Sequence, residues 1–119
     1  CEDVMKKTAD VLTNLWVDSQ RMLENISNQK GLVMAEKVMI ELVSHGIGRD
    51  EAHEIMRAAS FEAIANAEEL IDVCSRTPAV SAAFSAEELE SMFDPANHIG
   101  VSGEIVDEAV SLARNAINP

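Results

Sequence analysis

The chain has 119 residues, of which 47% are hydrophobic, 25% are charged and only 3% are aromatic. This composition excludes a disordered protein and predicts a globular domain with an aliphatic and methionine core, which suits helix packing better than sheets. Nine basic and 21 acidic residues give a net charge of −12, and no apolar run approaches the roughly 20 residues of a membrane span. We therefore expect neither nucleic acid nor a membrane as a partner.

The two cysteines, Cys1 and Cys74, lie far apart and share no CxxC spacing. They predict neither a zinc site nor a disulfide framework, and free thiols favour an intracellular, cytoplasmic protein. Because Cys1 leads directly into helical periodicity, we interpret the chain as a piece of a longer protein.

The first helix is predicted over residues 2–17, where apolar side chains recur at spacings of three and four. Asp18 or Ser19 then caps a shorter helix over residues 20–27, and a polar loop leads to Gly31. The apolar rows of the first helix consist of Met5, Ala9, Leu12 and Trp16, with Val4, Val11 and Leu15 beside them. These rows exceed what a small domain can cover, so their exposure would favour self-association.

An almost wholly apolar helix is predicted over residues 32–45, and we expect it inside a bundle because only a narrow strip of it is polar. Gly46 suits the left-handed position that ends this helix, and Ile47 can pack back on it. Gly48 is a permissive N-cap for the next helix, over residues 49–66.

Shorter elements follow. A helix over residues 67–75 ends before Pro78, since the residue preceding proline disfavours helical backbone. Ser85 and Glu88 form a capping box that opens a helix ending near Phe93.

The tail continues with a turn at Asp94-Pro95 and a last helix capped by Ser102. The chain contains no strand alternation, no repeat and no long linker. We therefore predict a single all-α domain over residues 1–119, with about six or seven helices.

Candidates for chemistry are few. His45 lies in the last turn of a helix and His53 beside acids in a first turn, and both positions have structural explanations. His98 follows Asp94 at a spacing that can place two metal ligands on one helical face, but no further ligand pair accompanies it. Arg49 opposes the dipole at a helix N-terminus, so we expect it to pair with an acid on a neighbouring element or to bind an anion.

Nucleophile signatures, phosphate-binding loops and zinc patterns are missing from the sequence. Lys37 and Glu41 are interpreted as a surface ion pair. On its own residues the chain is typical of a helical accessory domain, with no catalytic residue, cofactor or metal predicted.

Two groups of motifs stand in a characteristic order. The first comprises Met22-x-x-Asn25, Gly31-Leu32, Ala35-Glu36-x-Val38 and Gly46-x-Gly48-Arg49-x-Glu51-Ala52-His53. The second comprises Phe84-Ser85-Ala86-Glu87-Glu88-Leu89, Met92-Phe93-Asp94-Pro95 and Glu104-Ile105-Val106. In order and spacing they resemble the C-terminal domain of the adenylosuccinate lyases, of the fumarase/aspartase superfamily, over nearly the whole chain.

The motif positions are mostly caps and core positions, and we interpret them as structural. They are Met22, Asn25, Gly31, Glu36, Gly46, Arg49, Ala52, His53, Phe93, Asp94 and Pro95. The chain departs from the family at Gln29, where threonine is common, and at Ala35, where serine is frequent.

The resemblance implies a long-helix-bundle lyase that assembles as a homotetramer and eliminates fumarate from a succinyl-bearing substrate without metal or cofactor. Residues 1–17 would be the end of a central bundle helix, and residues 18–119 the terminal cap domain. The catalytic histidines and the mobile loop of the family lie upstream of this domain. The resemblance therefore implies that this chain alone is inactive, and that its partners are the rest of the lyase and the other subunits.

Two alternatives stay open. Carboxymuconate cycloisomerase, a sister enzyme, shares much of this domain, whereas the tail of argininosuccinate lyase is less similar. The second alternative, from another functional class, is a stand-alone helical protein-interaction module.

Overall fold

The computed structural model describes residues 2–117, which contain eight α-helices, two 3₁₀ turns and no strand. The helices are α1 Glu2–Thr13, α2 Ser19–Ser27, α3 Ala35–Ser44, α4 Arg49–Asn66, α5 Leu70–Arg76, α6 Pro78–Ala83, α7 Ala86–Phe93 and α8 Ser102–Ile117. The 3₁₀ turns are Leu32–Met34 and Pro95–His98. The all-α prediction is confirmed, with eight helices in this range where about six or seven were expected. Cys1, for which we predicted a free thiol, lies outside the described residues.

The hydrophobic core is formed by α3 to α7. Three alanines on one face of α4 are buried, and their small side chains let neighbouring helices approach closely. The buried cluster comprises Val38, Leu42, Ala52, Met56, Ala59, Ala63, Leu70, Val73, Cys74, Val80, Phe84 and Leu89. No polar or charged side chain is buried among residues 2–117. The cluster is thus mainly aliphatic, as the composition predicts, but it includes one methionine, Met56, and is not methionine-rich.

The terminal helices α1 and α8 bury none of their residues. The radius of gyration is 20.5 Å, against about 13–14 Å for a compact domain of this length, and the described chain extends over 60 × 30 × 25 Å. The expectation that the apolar rows of the first helix exceed what the domain covers is confirmed. The division into residues 1–17 and 18–119 stays a prediction.

The first helix is shorter than predicted, because α1 ends at Thr13 instead of Val17. Asp18 rather than Ser19 is the N-cap of α2, and its carboxylate accepts a hydrogen bond of 2.9 Å from the backbone N–H of Arg21. This capping role requires non-helical backbone at Asp18, which separates α2 from α1.

The turn between α3 and α4 follows the predicted design. Gly46 has a φ of +92°, its N–H donates to Val43, and the N–H of Ile47 donates to the carbonyl of Leu42. This pair of bonds is a Schellman motif, and Gly48 then serves as N-cap of α4. The boundaries of α4 match the prediction.

Three other boundaries differ from expectation for local reasons. The helix predicted over residues 67–75 begins at Leu70, because the left-handed backbone of Ala67 ends α4. Residues 32–34 form a 3₁₀ turn before α3, so the predicted helix over residues 32–45 starts later as an α-helix. Pro78 ends α5 as predicted but also begins α6, since proline at the first helical position lacks only a donor that would have no partner. The capping box of Ser85 and Glu88 is present, with both reciprocal bonds formed.

Candidate functional site

The loop before α3 is held against α7 by a close approach of Gly31 to Phe93. Gly31 has a φ of +77°, and a Cβ built on it would lie 2.9 Å from two ring carbons of Phe93 and 3.6 Å from the Cβ of Leu70. Only glycine combines this backbone conformation with this contact. Two signature residues, far apart in sequence, thus form one packing unit.

The same loop is fixed to the junction of α4 and α5. The carbonyl of Lys30 accepts a bond of 2.9 Å from the N–H of Leu70, and the Lys30 ammonium donates to the carbonyl of Ala67 at 2.5 Å. Lys30 and Ala67 both have positive φ, at 50° and 54°. The sequence gives no signal for this lock, because neither residue type favours the left-handed conformation.

A groove of about 380 Å³ lies between α3 and α4 and contains two further signature residues, Glu36 and His53. The remaining lining residues are Ala35, Met39, Met56, Arg57 and Ser60. Glu36 and His53 are exposed and make no side-chain hydrogen bond or ion pair with the described residues. The groove therefore has an apolar lining with an unpaired carboxylate at its rim.

The outward side of α3 continues this apolar surface. Val33 in the preceding turn is 54% exposed and Ile40 is 52% exposed, whereas Val38 and Leu42 on the opposite side are fully buried. The expectation that this helix lies inside a bundle is correct for one face and wrong for the other in this chain. α3 carries apolar residues nearly all round, but the neighbouring elements cover only one side of it.

The arginine at the groove and the arginine between α4 and α5 both form ion pairs with glutamates. Arg57 donates to Glu54 through Nε at 2.8 Å and lies 5.4 Å from the centre of the Phe61 ring. This hydrogen bond lowers the pKa of Glu54 and raises the pKa of Arg57. Arg76 joins Glu62 on α4, at 2.7 Å, to Glu68 in the following loop.

Arg49 differs from the expectation. It begins α4 and is exposed, and among the described residues it forms neither an ion pair nor a side-chain hydrogen bond. Asp50 and Glu51 in the same first turn already place negative charge at the positive end of the helix. The predicted ion pair with a neighbouring element is therefore wrong, while Ala52 in the same turn is fully buried as part of the core.

Two of the three histidines are bonded to backbone carbonyls. Nδ1 of His45 lies 2.9 Å from the carbonyl oxygen of Glu41, and the ring packs edge-on against Phe84 at 4.8 Å. Nε2 of His98 donates to the carbonyl oxygen of Met92 at 2.7 Å. These bonds explain His45 and His98 as structural residues, which leaves His53 in the groove as the histidine without such a bond in the described chain.

The tail motif Phe93-Asp94-Pro95 is a structural corner. The Asp94 carboxylate caps the 3₁₀ turn by accepting a hydrogen bond of 2.9 Å from the backbone N–H of Ala96, and Pro95 begins that turn. Asp94 and His98 are thus each bonded locally instead of facing a shared ligand position. Within residues 2–117 no group of three or more metal-binding side chains occurs.

The remaining signature residues, Met22 and Asn25, lie on α2 and are exposed.

The described cysteine and the helix lengths are the last features that bear on a site. Cys74 is a buried free thiol, and burial raises its pKa to about 11. A buried thiol of this kind reacts slowly at neutral pH. None of the helices in the described residues has the length and apolar content to span a bilayer.

Comparison with known proteins places the chain in a family. Residues 31–109 match the family model described as adenylosuccinate lyase C-terminus. Adenylosuccinate lyase of Methanocaldococcus jannaschii is 37% identical over 101 residues, which cover 85% of this chain and 22% of that enzyme. Adenylosuccinate lyase of Archaeoglobus fulgidus is 32% identical over 109 residues, which cover 92% of this chain and 24% of that enzyme.

A second kind of relative is similar to a comparable degree. The 3-carboxy-cis,cis-muconate cycloisomerase of Acinetobacter baylyi is 33% identical over 110 residues, covering 92% of this chain and 24% of that enzyme. No solved structure matches the chain. The chain spans about a quarter of the length of the curated relatives it matches. By the family model and the order of its motifs, it belongs to the adenylosuccinate lyase C-terminus family.

Proposed function

We propose that this chain is the C-terminal domain of a cytoplasmic adenylosuccinate lyase of purine biosynthesis. The enzyme would eliminate fumarate from adenylosuccinate and from its imidazole-carboxamide counterpart. The observation that carries this proposal is the match of residues 31–109 to the family model, with archaeal adenylosuccinate lyases 30–37% identical. Several signature residues inside this range have packing or capping roles, as expected for a supporting domain: Gly31, Gly46, Ala52, Phe93, Asp94 and Pro95.

The chain alone would be non-catalytic and would need neither cofactor nor metal. Elimination requires a base that removes a proton next to a carboxylate and an acid that assists the departing nitrogen. His45 and His98 are bonded to backbone carbonyls, and among the described residues the exposed His53 has no side-chain hydrogen bond that would position it as an acid or a base. In the proposed enzyme, the acid and the base come from the part of the lyase that precedes this domain.

The role of the chain would then be structural and would concern assembly. The helices α1, α2 and α8 bury no residue, and their large apolar side chains are exposed. Apolar surface on this scale is typical of an interface. We propose that these faces contact the rest of the lyase and the other subunits of a homotetramer.

The first test is fumarate release from adenylosuccinate by the purified chain. We expect a rate equal to that of buffer, because proton transfer and substrate positioning are both missing. The variants His53→Ala and Arg49→Ala serve as controls. Turnover that disappears in either variant would contradict the proposal and identify a catalytic residue in this domain.

The second test asks which enzyme accepts the domain. In the Methanocaldococcus jannaschii lyase the C-terminal segment that aligns with this chain is removed, and this chain is fused in its place. We expect the truncated lyase to lose adenylosuccinate cleavage and the fusion to regain part of it. The control is a fusion that carries Gly31→Trp, because the close contact with Phe93 cannot accommodate tryptophan. If this fusion also regained activity, the attached segment would be acting only by keeping the truncated enzyme soluble.

The alternative function is a 3-carboxy-cis,cis-muconate cycloisomerase. It is favoured by the 33–35% identity of three such enzymes, which overlaps the range of the lyases. The same fusion made in the Acinetobacter baylyi cycloisomerase separates the two functions. If activity were regained only in the cycloisomerase fusion, the parent enzyme would be a cycloisomerase and not an adenylosuccinate lyase.

A further inference from the structure

We propose that Lys30 caps two helices at once from a distant loop, and that residues 28–34 and 67–70 therefore open and close as one unit. Its ammonium closes the C-terminal end of α4, and its backbone carbonyl closes the N-terminal end of α5. This unit is a conformational element of the fold itself, so it does not depend on which enzyme the domain belongs to.

The ammonium of Lys30 supplies the positive charge that the end of α4 lacks. The 18 residues of α4 include no basic side chain in the last turn, where the helix dipole is negative. The Lys30 ammonium donates a hydrogen bond of 2.5 Å to the carbonyl of Ala67, the residue that ends this helix. Lys30 lies 37 positions earlier in the sequence, so the cap comes from another part of the chain.

The backbone carbonyl of Lys30 supplies the acceptor that the start of α5 lacks. Glu69 is the N-cap residue of α5, but its side chain forms no capping hydrogen bond. The N–H of Leu70, the first residue of α5, instead donates to the carbonyl of Lys30 at 2.9 Å. Leu70 is fully buried, so water cannot replace Lys30 as the acceptor while this corner is closed.

Backbone strain makes the two segments depend on each other. Lys30 and Ala67 have φ values of 50° and 54°, and among residues 2–117 they are the non-glycine residues with positive φ. Each conformation carries a steric cost that is offset by contacts made in the closed arrangement. When the two segments separate, both residues can relax and both caps are lost together.

A half-open state is therefore unfavourable. Opening residues 67–70 alone would leave Lys30 left-handed without either capping bond, and opening residues 28–34 alone would leave the N–H of Leu70 buried without an acceptor. Segments that lose their stabilising contacts at the same step behave as one cooperative unit in hydrogen exchange. Four bonded amides report on this unit, those of Leu32 and Met34 in the first segment and those of Glu68 and Leu70 in the second.

The test is hydrogen exchange of the full chain followed by nuclear magnetic resonance, under conditions in which the rate reports the opening equilibrium. In Lys30→Met the strained backbone stays and only the ammonium is lost, so we expect all four amides to exchange about tenfold faster. Lys30→Arg keeps a cation at the end of α4, and its rates should lie close to those of the parent chain. Ala67→Gly removes the steric cost at residue 67, so the same four amides should exchange about threefold more slowly.

The matched control is Lys37→Met. The ammonium of Lys37 also donates a hydrogen bond, of 2.6 Å, but its acceptor is Glu41 within the same helix, α3. Loss of this bond removes a contact inside one element, so the four amides should keep their rates. Amides of α8, which buries no residue, serve as an internal reference and should not change in any variant.

Equal rates of the four amides in the parent chain and in Lys30→Met would overturn the inference, since the ammonium would then cap nothing. Faster exchange at Glu68 and Leu70 with unchanged rates at Leu32 and Met34 would also overturn it, because the two segments would open separately. The same holds if Lys30→Arg exchanges as fast as Lys30→Met, or if Lys37→Met accelerates the four amides. None of these outcomes bears on fumarate release or on the fusion test, so the two proposals fail separately.

Discussion

Leu42 on α3 and Leu112 on α8 show how differently two amphipathic helices can be used in one chain. Leu42 is fully buried, whereas Leu112 is 63% exposed, and the whole of α8 buries nothing. The same periodicity therefore predicts a helix in both places, but it predicts a core only where partners are present. Helix formation is local, while burial depends on how many elements pack together.

The largest expected effect tests this contrast directly. Leu42→Ala should lower the free energy of unfolding by about 2–5 kcal/mol, because it removes a fully buried side chain and leaves a cavity. Leu112→Ala should change it by less than about 0.5 kcal/mol, since an exposed leucine in a helix loses little on conversion to alanine. The measurement is the denaturation midpoint of each variant relative to the parent chain. Similar shifts for the two variants would mean that α8 is packed in solution.

A second pair of variants contrasts two glycines. Gly31→Ala should destabilise the protein by about 2 kcal/mol, because φ is +77° and the new Cβ would meet the Phe93 ring at 2.9 Å. Gly103→Ala in α8 meets nothing within 4 Å and should stabilise its helix by about 0.5–1 kcal/mol. The midpoint of thermal unfolding should fall for Gly31→Ala and rise for Gly103→Ala. A Gly31→Ala protein as stable as the parent would show that the contact between Gly31 and Phe93 is not close in solution.

A third pair concerns the left-handed end of α4. Ala67→Gly should raise the free energy of unfolding by about 0.5–1 kcal/mol, because glycine adopts a φ of 54° without the steric cost that alanine carries. Ala58→Gly, an exposed site within the same helix, should lower it by about 1 kcal/mol. Two destabilised variants would indicate that residue 67 is not left-handed in solution.

The smallest expected effect is a dependence on pH. Hydrogen bonds from the backbone N–H and the hydroxyl of Ser85 lower the pKa of Glu88 below its ordinary 4.5. Its contribution to stability is therefore fully present above pH 4.5 and is lost as the pH falls through the lowered pKa. Glu88→Gln keeps a capping side chain without the titration, so its unfolding free energy should fall less between pH 6 and pH 3 than that of the parent.

Capping chemistry made much of the fold predictable from sequence. The Schellman motif at Gly46, the N-cap at Gly48 and the box of Ser85 and Glu88 each depend on a few adjacent residues, so their spacing was sufficient. The early end of α1 was missed because residues 14–17 keep apolar periodicity after the helix has stopped. A pattern of side chains cannot indicate where the backbone leaves the helix when the next cap sets the boundary.

The groove and the loop contacts were not predictable in the same way. The contact of Gly31 with Phe93 joins residues more than sixty positions apart, and the lock of Lys30 on Ala67 uses residue types without left-handed preference. The groove exists because α3 is apolar on more sides than its neighbours cover, which is a property of the packing. Sequence similarity supplied the family, whereas Glu36 and His53 come together at one groove only in the folded chain.

The buried thiol of Cys74 provides a clock for the interior of the molecule. Because Cys74 is fully buried among the core side chains, a thiol reagent reaches it only when the core opens. In a Cys1→Ser background, the rate of labelling at Cys74 would therefore measure core opening while fraying of α1 and α8 goes unseen. Hydrogen exchange on the same protein would record the local opening of α1 and α8. Comparison of the two rates would show how much more slowly the core opens than these two helices.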